Sequence, residues 1–217
     1  MTFDATAPVA TTRLWVEFGV LYIAAPIVLA VFLPASAMFP VLFGVTVLGA
    51  ILLHRTAGFR WRDLNTGWSR VSWPHVAAFA AITTLACLAI QLTVLPDRWF
   101  ALFRMSGWAW LAVMLLYPVL SALPQEIVFR PLFFRRYGPL FSDRRIAILV
   151  NASVFSLAHL LYWNPIVAAM TFAGGLTFAW AYEVRGSFPF AVILHAVAGN
   201  ILFTFGTGFL FFTGTVQ

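Results

Sequence analysis

Four ionisable side chains stand inside long apolar stretches of this chain: Glu126, Arg130, His159 and His195. Burying charge in hydrocarbon costs at least a few kcal/mol per group, so such residues are functional candidates by default. One carboxylate and two imidazoles suit the activation of water. The carboxylate can take a proton from water while a His orients the same molecule. The second His can donate to the oxygen that becomes negative as a carbonyl is attacked. That chemistry is peptide-bond hydrolysis by a general base. The same residue types could instead ligate zinc with an open position. No His-Glu-x-x-His stretch is present, however, so the usual zinc geometry has no support and no cofactor is implied. No Ser or Cys stands in a nucleophile motif, and no glycine-rich phosphate loop is visible. The bland readings are a satisfied core His and a simple buried ion pair, because Glu126 and Arg130, four residues apart, share a helix face.

The elements that must position these groups follow from composition. Of 217 residues, 62% are hydrophobic and only 9% are charged, against about 25% charged in soluble domains. A soluble enzyme, a disordered chain and a nucleic-acid-binding domain are all poor readings, despite the net charge of +6. Cys87 stands alone in an apolar run, so no intramolecular disulfide and no Cys-rich metal motif is available. A membrane helix needs about 20 mostly apolar residues. Seven such stretches can be read, near Leu14–Phe32, Pro40–Leu53, Pro74–Leu95, Trp108 to beyond Pro124, Ile146–Leu161, Pro165–Tyr182 and Phe188–Phe212. The predicted fold is all-α, one polytopic integral membrane bundle over residues 1–217. Polar stretches at His54–Ser72 and Arg135–Arg145 separate the spans, and the first of these, with Trp61 and Trp68, is read either as an interfacial segment or as a plain loop. The first apolar run is too long for a signal-peptide core.

All thirteen basic residues are Arg. With the N-terminus inside and the C-terminus outside, ten fall on the inner face, and only Arg98 and Arg104 fall outside, as the positive-inside rule requires. Distance from the inner Arg residues gives depth. Glu126 precedes Arg135 by about 14 Å of helix, His195 follows Arg185 by about 15 Å, and His159 follows Arg145 by about 21 Å at most. The three groups therefore share a mid-membrane level on three different helices. Glu17, His75, Glu183 and Arg185 sit at span ends and read as interfacial anchors. Pro118 and Pro124 disturb the fourth span, and Pro124 stands directly before Gln125–Glu126. Ala168, Ala169, Gly174 and Gly175 allow close helix packing in the sixth.

Three motifs resemble a known family. They are Gln125–Glu126–Ile127–Val128–Phe129–Arg130, then Phe155-x-x-x-His159, then Gly186–Ser187 followed by Pro189 and His195. Their order and spacing are similar to the CAAX-processing and bacteriocin-processing (CPBP) intramembrane endopeptidases, also called type II CAAX prenyl endopeptidases, over about residues 108–205. The resemblance implies a glutamate-dependent membrane protease without a required metal, whose cavity opens toward the cytoplasm. It implies that Glu126, His159 and His195 are catalytic, with His159 holding the water and His195 polarising the carbonyl. Gln125, Arg130, Phe155 and Asn200 would support them, Arg130 by pairing with Glu126. Two departures stand out. The family's first motif opens Glu-Glu, and Gln125 holds the first, water-activating position; Glu126 should point about 100° away from it. The family places an Asn four residues after its last His, whereas here Gly199 holds that place and Asn200 should point about 140° away.

The reading that follows is an intramembrane endopeptidase acting on a membrane-associated protein or peptide. Its partners would be membrane lipid and a peptide or membrane-protein substrate, and not nucleic acid. The absence of Lys beside so many Arg points to a GC-rich genome, hence a bacterial inner membrane, where a prenylated substrate is doubtful. Gln125 motivates an alternative, a proteolytically inactive member serving as a binding, scaffold or immunity protein. A small transporter is a third reading, since buried charges also line transport paths, though no internal repeat is visible.

Overall fold

The structure, a computed structural model, describes residues 8–211. Among the described residues all regular structure is helical. Six helices are long and apolar enough to cross a membrane: α1 (Thr11–Phe32), α3 (Trp73–Thr93), α4 (Gly107–Leu140), α5 (Arg144–Tyr162), α6 (Pro165–Val184) and α7 (Phe188–Phe205). The shorter apolar helix α2 (Met38–His54) has 17 residues, at the lower end of the range of about 17–25 that can span hydrocarbon. The seven anticipated stretches are thus all helical, six of them at full spanning length. The chain is an integral membrane protein, and its solvent logic is inverted accordingly. Ile82, Leu92 and Leu115 are exposed, while Glu126, Arg130, Asn151 and Gln91 are fully buried. A bilayer accepts apolar surface but not unpaired polar groups, so the polar groups gather inside.

Two spans differ from their sequence boundaries. Helix α4 runs 34 residues, through the stretch 135–140 that its charges mark as polar. Arg136 explains the continuation: its Nε and Nη2 donate to Glu17 Oε2 of α1 at 2.9 and 2.6 Å, so its charge is matched against a neighbouring helix. At the other end of the chain, α7 stops at Phe205, because Gly206 adopts φ 89°. Phe212 and the C-terminal Gly-Thr-Val-Gln lie outside the described residues.

Side-chain caps start the three helices that follow the long α4. Asp143 accepts from the amides of Arg145 and Ile146, Asn164 from those of Ile166 and Val167, and Ser187 from that of Phe190. Each satisfies amides that the first turn leaves without an intrahelical partner. Pro165 and Pro189 stand in the first turn, where a missing N–H does no harm. The Gly186–Ser187–x–Pro189 stretch is therefore a helix start. Gly186 itself has φ 63°, and its carbonyl accepts from Arg70 Nη1 at 3.2 Å. That bond ties the 54–72 segment, which forms two short 3₁₀ turns with Trp61 and Trp68 exposed, to the α6–α7 turn.

Helix α4 is locally widened into π-helix over Pro118–Ala122 and Val128–Tyr137, on either side of one α-helical turn, Leu123–Ile127. Pro118, Pro124 and Pro131 each remove a backbone donor, and i→i+5 bonding is one way to re-pair the ladder around them. The hydroxyl of Tyr22 on α1 donates to the carbonyl of Val128 at 2.6 Å, satisfying an acceptor at the edge of the second widened stretch. Helices α5 and α6 form a close hairpin. A Cβ on Gly175 would stand 3.0 Å from Ala152 Cα, so only glycine permits that approach. Helix α7 packs against α3, α4 and α6 and is the central helix of the bundle.

Candidate active site

Glu126 lies in the α-helical turn between the two widened stretches of α4. Its Oε2 accepts from Arg130 Nε at 2.9 Å, and its Oε1 from Arg130 Nη2 at 3.5 Å. The four-residue spacing thus yields the predicted pair, and both side chains are fully buried. A buried ion pair is tolerable only when its remaining polar atoms are satisfied. Arg130 Nη1 donates to Asn151 Oδ1 on α5. Asn151 Nδ2 in turn donates to the Phe129 carbonyl at 2.6 Å. The guanidinium also lies over the rings of Phe155 and Phe178, at 5.2 and 5.7 Å from their centroids, a cation–π arrangement that suits a desolvated cation.

His195 comes to the same carboxylate from α7. Its Nδ1 stands 2.9 Å from Glu126 Oε1. A carboxylate only accepts, so Nδ1 carries the proton, and Nε2 is the nitrogen left to the cavity that His195 lines. The ring is clamped, stacked on Phe178 at 4.8 Å and 13° and edge-on to Phe155 at 5.5 Å.

His159 follows the last α-helical residue of α5, Leu157, and opens a short 3₁₀ turn. Its Nδ1 lies 2.8 Å from the Phe155 carbonyl. A carbonyl also only accepts, so Nδ1–H donates and Nε2 is again the free nitrogen. Phe155 serves both imidazoles, with its ring 4.8 Å from that of His159 and its backbone fixing the His159 tautomer.

A cavity of about 720 Å³ is lined by residues of all seven helices and is mostly apolar. Its polar side chains include Tyr117, Gln125, His159, Tyr162 and His195. Glu126 is not among the lining residues. Gln125 faces the cavity and donates to Ser121 at 3.0 Å, while the adjacent Glu126 turns toward Arg130 and His195, as the angular step along a helix requires. The structure therefore brings Glu126, His195, Arg130 and Phe155 into direct contact and sets His159 and Gln125 on the same cavity wall. Asn200 is placed elsewhere. Its Nδ2 donates to the Met114 carbonyl at 3.2 Å, so it ties α7 to α4.

Two neighbours were missed from sequence. Asn151 lies four residues before Phe155 and eight before His159, and that periodicity marks it on the same helix face. Tyr117 carries no such signal, because its place depends on the approach of α4 to α7. Its ring occupies the space that a Cβ on Gly199 would need.

Zinc does not fit this donor set. Both oxygens of Glu126 are held by Arg130, and one also by His195, so no carboxylate is left to join the two free imidazole nitrogens as a third ligand. Among the described residues no three His, Cys, Asp or Glu side chains form a cluster able to hold a metal ion.

Neither the curated proteins nor the solved structures contain a match to this chain. Residues 106–201 match the family model for Rce1-like type II CAAX prenyl endopeptidases. That stretch contains Tyr117, Gln125, Glu126, Arg130, Asn151, Phe155, His159 and His195. The segment that carries the candidate site is thus similar to the Rce1-like, type II CAAX prenyl endopeptidases.

Proposed function

We propose that this protein is an intramembrane endopeptidase in which Glu126 acts through His195. The observation that carries the reading is the 2.9 Å contact between Glu126 Oε1 and His195 Nδ1 on a residue that lines the cavity. A carboxylate behind an imidazole fixes its tautomer and stabilises the imidazolium that forms when the far nitrogen takes a proton. His195 Nε2 is then the general base and Glu126 a positioning residue. His159, whose Nδ1–H is committed to a carbonyl, offers Nε2 as an acceptor that orients the attacking water. Water loses its proton to His195 Nε2 as its oxygen bonds to the peptide carbonyl carbon. Collapse breaks the C–N bond, and His195 returns the proton to the departing amine. This assignment moves base duty from position 125, where an amide cannot take a proton, to the His195–Glu126 pair. The apolar wall suits a segment of a membrane protein or a hydrophobic peptide. The Arg distribution supports a bacterial inner membrane with the N-terminus inside.

A second reading is favoured by Gln125, whose amide stands on the wall of the cavity. It is a non-hydrolytic member that binds a peptide or membrane partner there. The test reconstitutes the full chain in liposomes with quenched-fluorescent, bilayer-anchored peptides. Cleavage by the parent, lost in His195→Ala, supports the protease. A silent parent that gains cleavage on Gln125→Glu supports the binding protein.

A further inference from the structure

A hydroxyl from α4 stands on the catalytic face of α7. Gly199 is one turn beyond His195 and on the same face of the helix. With no Cβ there, the Tyr117 ring lies directly on the α7 backbone, and its Oη is 2.7 Å from where a Cβ on Gly199 would be. The ring is held between that of His195, at 6.1 Å and 72°, and that of Phe203, at 5.5 Å and 65°. Tyr117 lines the cavity, and among the described residues its hydroxyl has no hydrogen-bond partner. A half-buried phenol on the cavity wall with no protein partner keeps its donor available to whatever occupies the cavity. Its ring stands beside that of the proposed base, on the same cavity.

We propose that the Tyr117 hydroxyl is the hydrogen-bond donor to the oxyanion formed when water attacks the substrate carbonyl. The assignment rests on the hydrolytic reading given above. As the water oxygen bonds to the carbonyl carbon, the π pair moves onto the carbonyl oxygen. Tyr117 O–H donates to that oxygen and keeps its proton. The proton taken from water resides on His195 Nε2 until the C–N bond breaks and it passes to the amine. A rigid donor in a mostly apolar cavity favours the charged intermediate over the neutral amide, which is the condition for accelerating the reaction.

The experiment uses the full chain in liposomes. Tyr117→Phe keeps the ring and its packing, and it should lower kcat by about 10²–10³-fold with KM little changed, as for the loss of one oxyanion donor. Tyr117→Ala should lose as much, and Tyr117→Ala combined with Gly199→Asn should regain turnover, because the vacated ring space admits an amide donor grown from α7. Unchanged kcat in Tyr117→Phe overturns the assignment. A second measurement does not depend on turnover: calorimetric binding of a peptide phosphonate, which mimics the charged tetrahedral centre, against the matching peptide amide. The parent should prefer the phosphonate, and Tyr117→Phe should reduce that preference by about 10-fold or more, as for a hydrogen bond to a charged group. A parent that binds with this preference yet cleaves nothing ends the hydrolase reading and keeps Tyr117 only as the donor to a bound anionic oxygen. A preference that is absent, or that Tyr117→Phe leaves intact, overturns the donor assignment whatever the turnover.

Discussion

Glu126 Oε1 and His195 Nδ1 lie 2.9 Å apart although 69 residues of chain separate them. The same carboxylate is held from its other side by Arg130 at 2.9 Å. One anion therefore faces a permanent cation and an imidazole, and substitutions there should move stability and activity in different ways.

Glu126→Gln leaves Arg130 buried without its counter-ion. Breaking such a pair from one side destabilises by about 3–5 kcal/mol. Adding Arg130→Met removes the stranded charge and should restore much of the loss in a thermal unfolding assay. Turnover should stay down by about 10³–10⁴-fold in both variants, as when a triad carboxylate becomes an amide. Recovery of turnover together with stability would show that Glu126 is only a structural counter-ion.

Asn151→Ala removes the acceptor for Arg130 Nη1 and the donor to the Phe129 carbonyl. Each buried group left unpaired costs about 1–3 kcal/mol. The variant should unfold at a clearly lower temperature in detergent. Asn151→Asp, which keeps an acceptor for the guanidinium, should be the milder change, and the order of the two unfolding midpoints checks it.

Which parts of this arrangement could be read from sequence divides along physical lines. The Glu126–Arg130 pair, the common depth of Glu126 and His195 and the opposed directions of Gln125 and Glu126 all follow from helical periodicity and rise, which are local. The α-helix boundary at Leu157, which puts His159 in a turn, was not legible, because the apolar run continues through Leu160 and Leu161. Neither was the full length of α4, since Arg135 and Arg136 look like a span end until Glu17 is seen to receive one of them. Tyr117 was the least legible of all. A glycine says that something comes close, but only the packing of two helices says what.

His159→Gln keeps a polar side chain but loses the rigid link from ring to Phe155 carbonyl. Turnover should fall by about 10²–10⁴-fold, the usual contribution of a positioned acid–base side chain. The unfolding midpoint should move little, since among the described residues the one hydrogen bond of His159 is to a nearby backbone group. Turnover close to that of the parent would remove His159 from the mechanism.

Gly175→Val should wedge α5 from α6, because even a Cβ would reach within 3.0 Å of Ala152. Overpacking of this kind costs about 1–3 kcal/mol. Phe155 is also a neighbour of the added atom, at 3.3 Å, so the shift should reach His159 and depress kcat as well. A midpoint unchanged from the parent would mean that the hairpin yields without strain.

The buried ion cluster also bears on how the polypeptide is made. Glu126 and Arg130 enter the bilayer in one segment, already neutralising each other. His195 emerges from the ribosome 69 residues later, on the last span of the described bundle. Until that span docks, a nascent chain has a quiet, inward-turned anion and no partner for it to orient. On the proposed reading, competence would then arrive only with the last described helix.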